Sequence, residues 1–155
     1  MNATTRKLIQ MQGYDNKIIC DCKDVNLLVR WTPLACALSG TLGLYLKSPV
    51  YFVLLGLLTT IGGFTSRSFY DHIYNFTLRF VVGTMKTPMH GNQRRFGCSV
   101  GAFLYILGGL GFYTGNTWLS YIPTLFIISL AYVAAFSQWC FASTIYNFLF
   151  NKDKK

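Results

Sequence analysis

Five cysteines and a scarcity of carboxylates set what chemistry this chain can do. Cys20, Cys22, Cys36, Cys98 and Cys140 are its thiols, and a thiolate attacks sulfur electrophiles or binds thiophilic metals. Arg30, Arg94 and Arg95 lie near these cysteines in sequence, where a cation favours the thiolate. Cys36 and Cys98 read first as small apolar packing residues. Cys20-x-Cys22, with no second pair at finger spacing, makes a weak zinc signal, so neither a metal nor a cofactor is expected. The chain has no Glu, and Asp15, Asp21, Asp24, Asp71 and Asp153 all fall outside its apolar runs. Proton-coupled transport through a membrane carboxylate is therefore not expected, nor is a paired-carboxylate hydrolase within the membrane. No GxSxG, HExxH or phosphate loop occurs. His72 and His90 are far apart in the polar connector and read as surface residues rather than metal ligands.

Placing the thiols falls to the apolar runs. Of 155 residues, 52% are hydrophobic and 12% charged, against roughly 25% charged in soluble domains. Four stretches approach the roughly 20 residues that a bilayer core requires: Leu27 to Leu46, Pro49 to Ser66, Phe96 to Thr114 and Trp118 to Trp139. This predicts an all-α integral membrane four-helix bundle. Its parts are a cytoplasmic N-terminal segment (1–26), a first transmembrane hairpin (27–66), a basic connector with an interfacial helix (67–95), a second hairpin with a terminal helix (96–150) and a basic tail (151–155). The first thirty residues hold no apolar run ending in a small-residue cleavage site, so the first span is expected to act as its own signal.

Thirteen of the 14 basic residues fall in the N-terminal segment, connector and tail, leaving only Lys47 in the opposite loops. The positive-inside rule then puts both termini in the cytoplasm, and a multi-pass protein of the cell's inner (plasma) membrane is expected. The charge of +9 serves orientation and attraction to the lipid bilayer rather than nucleic acid. Arg30, Trp31, Arg67, Arg79, Arg94, Arg95, Trp118, Tyr121 and Trp139 are the expected membrane-interface residues. All five cysteines fall toward the cytoplasmic side.

An eight-residue motif occurs twice, 72 residues apart. Phe69-Tyr70-Asp71-His72-Ile73-Tyr74-Asn75-Phe76 follows the second span, and Phe141-Ala142-Ser143-Thr144-Ile145-Tyr146-Asn147-Phe148 follows the fourth. Both read FxxxIYNF, which suggests two parallel copies of one hairpin unit. In the first copy Phe69, Ile73, Phe76 and Phe80 share one helical face, and Asp71, His72, Asn75 and Arg79 another, as in a helix lying at the interface. Ala35, Ser39 and Gly43, and the pair Gly97 and Gly101, permit close helix packing within the bundle or in a homodimer; Gly108, Gly109 and Gly111 carry no further signal.

The order of these features, with Asp24-Val25-Asn26 before Arg30, Pro88 before Arg95-Phe96, and a Cys-plus-Tyr ending, resembles the bacterial membrane family called domain of unknown function 4395, from about Asp24 to Phe150. The resemblance implies a membrane bundle and, by loose association, the company of thioredoxin-like or rhodanese-like proteins. It also implies a closing FxxCxxCxxY-like motif, in which Cys140 fits the first cysteine, Tyr146 the tyrosine, and Ser143 replaces the second cysteine. Cys140 is then the candidate nucleophile, with Ser143 placed to hydrogen-bond a mixed disulfide. Three functions follow as expectations. The foremost is a non-catalytic bundle whose cytoplasmic face docks a partner or lipid. The second is a thiol- or sulfur-handling protein acting through Cys140 with Cys98 or the Cys20/Cys22 pair. The third is a small permease for an anionic or neutral solute, with Thr60, Tyr132 or Gln138 facing its interior.

Overall fold

A computed structural model describes residues 3–14 and 25–150; Cys20, Cys22 and the basic tail lie outside them. The described residues form helices α1 (Ala3–Met11), α2 (Val25–Leu46), α3 (Pro49–Phe64), α4 (Phe69–Val82), α5 (Asn92–Thr114), α6 (Thr117–Ser137) and α7 (Phe141–Phe150), with no strand among them. Of these, α2, α5 and α6 are long and apolar enough to cross a membrane, and α3 joins them if it is taken with α4, from which it bends by 84°. The described residues are thus all-helical in class, with three to four candidate spans among them.

Local sequence explains the ends. Lys47 takes a left-handed φ of 49° after α2, and Ser48 then caps α3, accepting from Tyr51 N at 3.4 Å ahead of Pro49. At the matching turn, left-handed Gly115 ends α5, and Asn116 Oδ1 accepts from Leu119 N at 3.3 Å to start α6. Gln138, left-handed at φ 58°, ends α6.

The main packing pairs are α3 with α5, α5 with α6 and α2 with α6. The second expected hairpin therefore packs on itself, whereas α2 and α3 each take their chief partner from that second pair. Glycines on α5 make this approach possible: a Cβ at Gly111 would lie 2.4 Å from Ser120 N, and one at Gly108 would lie 2.2 Å from Thr124 Oγ1. Gly109 instead faces α3, where a Cβ would meet Val53 Cγ2 at 3.0 Å. These three glycines, silent in the sequence, set the α5 interfaces. The core they enclose holds Phe52, Leu55, Tyr70, Tyr105 and Ile128, with Phe52 stacked on Phe112 at 5.3 Å.

Helix α4 corrects one expectation. Its aromatic side does point away from the protein, with Phe76 77% and Phe80 75% exposed, but Asp71 on the other side is fully buried. Asp71 turns toward α2 and the connector, where Thr32 and His90 bond it, and is closed into a capping box with Ser68, while His72 on the same side stays exposed. A π-helical turn at Tyr74–Leu78 then shifts the register before the helix ends at left-handed Gly83.

Candidate functional site: a buried relay beside a cavity lined by thiols

Most of the polar burial gathers at the end of the bundle that carries the connector. Asp71 Oδ1 accepts from Thr32 Oγ1 at 2.6 Å. Asp71 Oδ2 accepts from Ser68 N and Ser68 Oγ, both at 2.8 Å, and meets His90 Nε2 at 2.5 Å. His90 Nδ1 lies 3.2 Å from Tyr14 OH, and Tyr14 OH accepts in turn from Arg94 Nη1. Arg94 can only donate and ionised Asp71 can only accept, so Tyr14 and His90 link a cation to an anion through two groups that both give and take protons. The Asp71 and His90 side chains are each 1% exposed.

Burial pushes the Asp71 carboxyl up. The hydrogen bond and charge of His90, with bonds from Thr32 and Ser68, outweigh that and hold it below its ordinary value of 3.8. A buried carboxylate of this kind persists because both of its oxygens are hydrogen-bonded.

Proline explains how Arg94 is held. Pro33 lies inside α2 and has no N–H to give the carbonyl four residues back. That carbonyl belongs to Val29, and Arg94 Nη2 donates to it at 3.3 Å. The Arg94 guanidinium also sits 5.5 Å from the Tyr14 ring centroid. Among the described residues no carboxylate contacts Arg94; its charge is answered only through Tyr14 and His90.

Arg94 also borders a mostly apolar cavity of about 280 Å³, shared with Cys36, Cys98, Cys140, Thr59 and Gln12. The cysteines come from α2, α5 and the link between α6 and α7. Cys36 Sγ lies 3.5 Å from Tyr105 OH, in keeping with a packing role. Cys98 Sγ would be 3.1 Å from a Cβ at Gly62, and Cys140 Sγ 3.9 Å from one at Gly97. Cys140 is half-buried, and Cys140 O accepts from Thr144 N at 3.1 Å at the start of α7. Ser143 Oγ is buried with no hydrogen-bond partner among the described residues. No group of three or more metal-binding side chains occurs among the described residues.

Helix α1 covers this end. Gln12 Nε2 donates to Gln138 O at 2.6 Å, and Asn147 Nδ2 donates to Met11 O at 2.9 Å. The backbone crossing at Gly13 and Gly91 admits no side chain, since a Cβ at Gly91 would lie 2.6 Å from Gly13 Cα.

Against the sequence expectations, His90 and Arg94 are buried rather than at the surface or the membrane interface, because Asp71, Tyr14 and Val29 O supply their partners; His72 is exposed as expected. Trp31 is a tie within the protein, donating from Nε1 to Tyr70 O at 3.0 Å. Arg95 binds Thr65 O at 3.1 Å and Ser66 Oγ at 2.7 Å. Arg30, Arg67, Arg79 and Tyr121 are half-buried, whereas Trp118 is 77% exposed and Trp139 37%. The two FxxxIYNF motifs each open a helix, at Phe69 and Phe141. Their asparagines both clip a neighbouring segment: Asn75 Oδ1 accepts from Thr87 N at 2.9 Å, as Asn147 holds α1. Tyr74 is buried, Tyr146 packs between Phe96 and Phe150, Ile145 lines the cavity, and Ile73, Phe76 and Phe148 are exposed. Thr60, Tyr132 and Gln138 do not line the cavity; the Thr60 hydroxyl bonds back to Gly56 O at 2.8 Å.

Sequence reasoning missed Tyr14 and the linkage of Asp71, His90 and Arg94. Two signals pointed that way, the S-x-x-D capping box at Ser68 and the carbonyl freed by Pro33. No curated protein and no solved structure matches the chain. The family described as domain of unknown function (DUF4395) matches residues 25–151, which takes in the whole site except α1 and Tyr14, and the chain therefore belongs to that family.

Proposed function

We propose that this is a multi-pass inner-membrane protein, with both termini cytoplasmic, that accepts sulfur at Cys140 in a cavity whose cation is Arg94. The observation that carries this is the shared cavity: Cys98 and Cys140 border it together with a buried arginine that no described carboxylate contacts. Such a cation favours an anionic occupant, and a thiolate or persulfide sulfur is the anion that cysteines can form there. The replacement of the second motif cysteine by Ser143 removes a disulfide within the motif but not sulfur transfer, which needs one thiol.

In the transfer step, the Cys140 thiolate attacks the outer sulfur of a carrier persulfide. A new S–S bond forms at Cys140, the carrier's S–S bond breaks, and the carrier leaves as a thiol with the proton of that outer sulfur. No net oxidation occurs. Arg94 holds the persulfide anion left on Cys140, and Tyr14, His90 and Asp71 hold Arg94. The partner called for is a cytosolic persulfide carrier of the thioredoxin-like or rhodanese-like kind. The two FxxxIYNF copies support descent from a duplicated unit, each copy supplying an asparagine latch.

Charge-selective labelling tests the role of Arg94. An anionic methanethiosulfonate is expected to label Cys140 about tenfold faster than a cationic one of similar size, in line with focusing by a buried charge. Arg94→Gln should erase that preference and Arg94→Lys retain it. Equal rates for both reagents in the unaltered protein would remove the reading.

A second function in the same bundle, docking of a partner or lipid on the cytoplasmic face, is favoured by the exposed aromatic side of α4 beside basic residues.

A further inference from the structure

Away from the thiol cavity, the chain leaves α4 at Gly83 and turns back beside it. Gly83 takes a left-handed φ of 70°, and the returning connector is pinned at several points. Tyr74 OH and Thr84 Oγ1 are 2.6 Å apart, Asn75 Nδ2 donates to Thr87 Oγ1 at 2.8 Å, and His90 N donates to Ser66 O at 2.8 Å. Between this connector and Arg67 lies an open groove of about 500 Å³, whose side chains include Arg67, Arg79, Lys86, Met85, Met89 and Thr87.

Three cations and no carboxylate line the groove. Arg67 Nε is buried with no hydrogen-bond partner among the described residues. Arg79 Nε donates to Thr84 O at 3.3 Å, which fixes the plane of its guanidinium and leaves its terminal nitrogens to another acceptor. Apolar side chains accompany these cations: Met85 and Met89 in the groove are more than half exposed, the Phe80 ring centroid lies 5.8 Å from the Arg79 guanidinium, and Phe76 and Val81 on the same helix are 77% and 80% exposed.

We propose that this groove holds the phosphate of one anionic phospholipid of the cytoplasmic leaflet. The proposal rests on the docking function above and narrows it to a lipid, at a defined site. A phosphate diester matches planar guanidinium donors, and basic clusters beside spanning helices attract anionic headgroups. A free phosphate ion answers the charge but leaves the exposed methionines and aromatics in water. A phospholipid answers both, because its acyl chains lie along the apolar surface that its headgroup anchors. The π-turn in α4 has a place here, since it carries the chain from buried Tyr74 to Arg79 at the groove.

The test uses the full-length protein, stripped of lipid in a neutral maltoside detergent and titrated with phosphatidylglycerol or phosphatidylcholine, with retained lipid counted by native mass spectrometry. The unaltered protein is expected to retain one phosphatidylglycerol at concentrations where phosphatidylcholine is not retained. Lys86→Gln should weaken retention roughly fivefold, and Arg67→Gln with Arg79→Gln roughly thirtyfold. Lys86 is exposed, so its variant reads the site without threatening the fold. Unchanged retention of phosphatidylglycerol in both variants would overturn this site while leaving lipid docking elsewhere on the protein. Equal retention of the two lipids would overturn the anion site while leaving lipid docking through the apolar surface, and retention of neither lipid would overturn lipid docking as well. Displacement of phosphatidylglycerol by millimolar inorganic phosphate would assign the groove to the free ion and overturn the lipid.

Discussion

Asp71→Ala is expected to destabilise the protein by about 3–5 kcal/mol, the cost of breaking a buried pair by removing one partner. The substitution strips acceptors from Thr32, Ser68 and His90 at once, leaving buried donors that the low-dielectric interior penalises. Thermal unfolding in detergent, followed by circular dichroism or by loss of the monodisperse peak, measures it. Removing His90 as well should cost much less than the sum of the single losses, because the two side chains serve each other. Acid gives an independent reading of the same group. The folded carboxyl of Asp71 lies below its ordinary 3.8, so its contribution is complete above that pH and is lost as pH falls through the lower folded value. The Asp71→Ala protein should lack that share of the acid sensitivity. A variant as stable as the unaltered chain would show that the relay does not hold the connector to α2.

Gly111→Leu should prevent α5 and α6 from closing. Even a single Cβ there meets Ser120 N at 2.4 Å and Leu119 C at 2.5 Å. Both are backbone atoms, so no rotamer change relieves the contact and the helices must part. Inserting extra methylenes into a filled interior costs typically about 1–3 kcal/mol and occasionally more; leucine adds four carbons against fixed backbone, so little monodisperse protein is expected from Gly111→Leu. Gly111→Ala should fold with a lowered melting temperature. Tyr113→Ala, at a position 80% exposed, is the control and should behave as the unaltered protein. Size-exclusion chromatography of the three variants side by side decides it, and a monodisperse, unshifted Gly111→Leu would contradict the close approach.

Three of the four expected spans, α2, α5 and α6, were legible because each rests on a long run of like residues, and the turns at Lys47 to Pro49 and at Gly115 to Asn116 were marked by the capping Ser48 and Asn116, by Pro49 and by a left-handed glycine. The polar cluster was not legible, for a physical reason. Tyr14, Asp71, His90 and Arg94 are spread over 81 positions of the sequence, and no periodicity ties residues that meet only when α1, α4 and α5 converge. A helical wheel also treats a polar face as a wet one, which sent Asp71 outward. Gly108, Gly109 and Gly111 of α5 were unreadable for a related reason, since which partner a small residue admits depends on a helix elsewhere in the chain. The cysteines fell between these cases: a common end for Cys36, Cys98 and Cys140 was expected from topology, whereas the sharing of one cavity by Cys98, Cys140 and Arg94 required the packing of α5 against α6 and α7.

Sulfur at Cys140 is tested most directly by mass. The full-length protein, held in detergent and treated with a glutathione persulfide, is alkylated, weighed intact and mapped by peptide. The account predicts one added sulfur atom on Cys140, no addition in Cys140→Ser, and slower addition in Arg94→Gln. Sulfur added equally to Cys140→Ser, or a Cys140 left as a plain thiol while other cysteines take up sulfur, would contradict it.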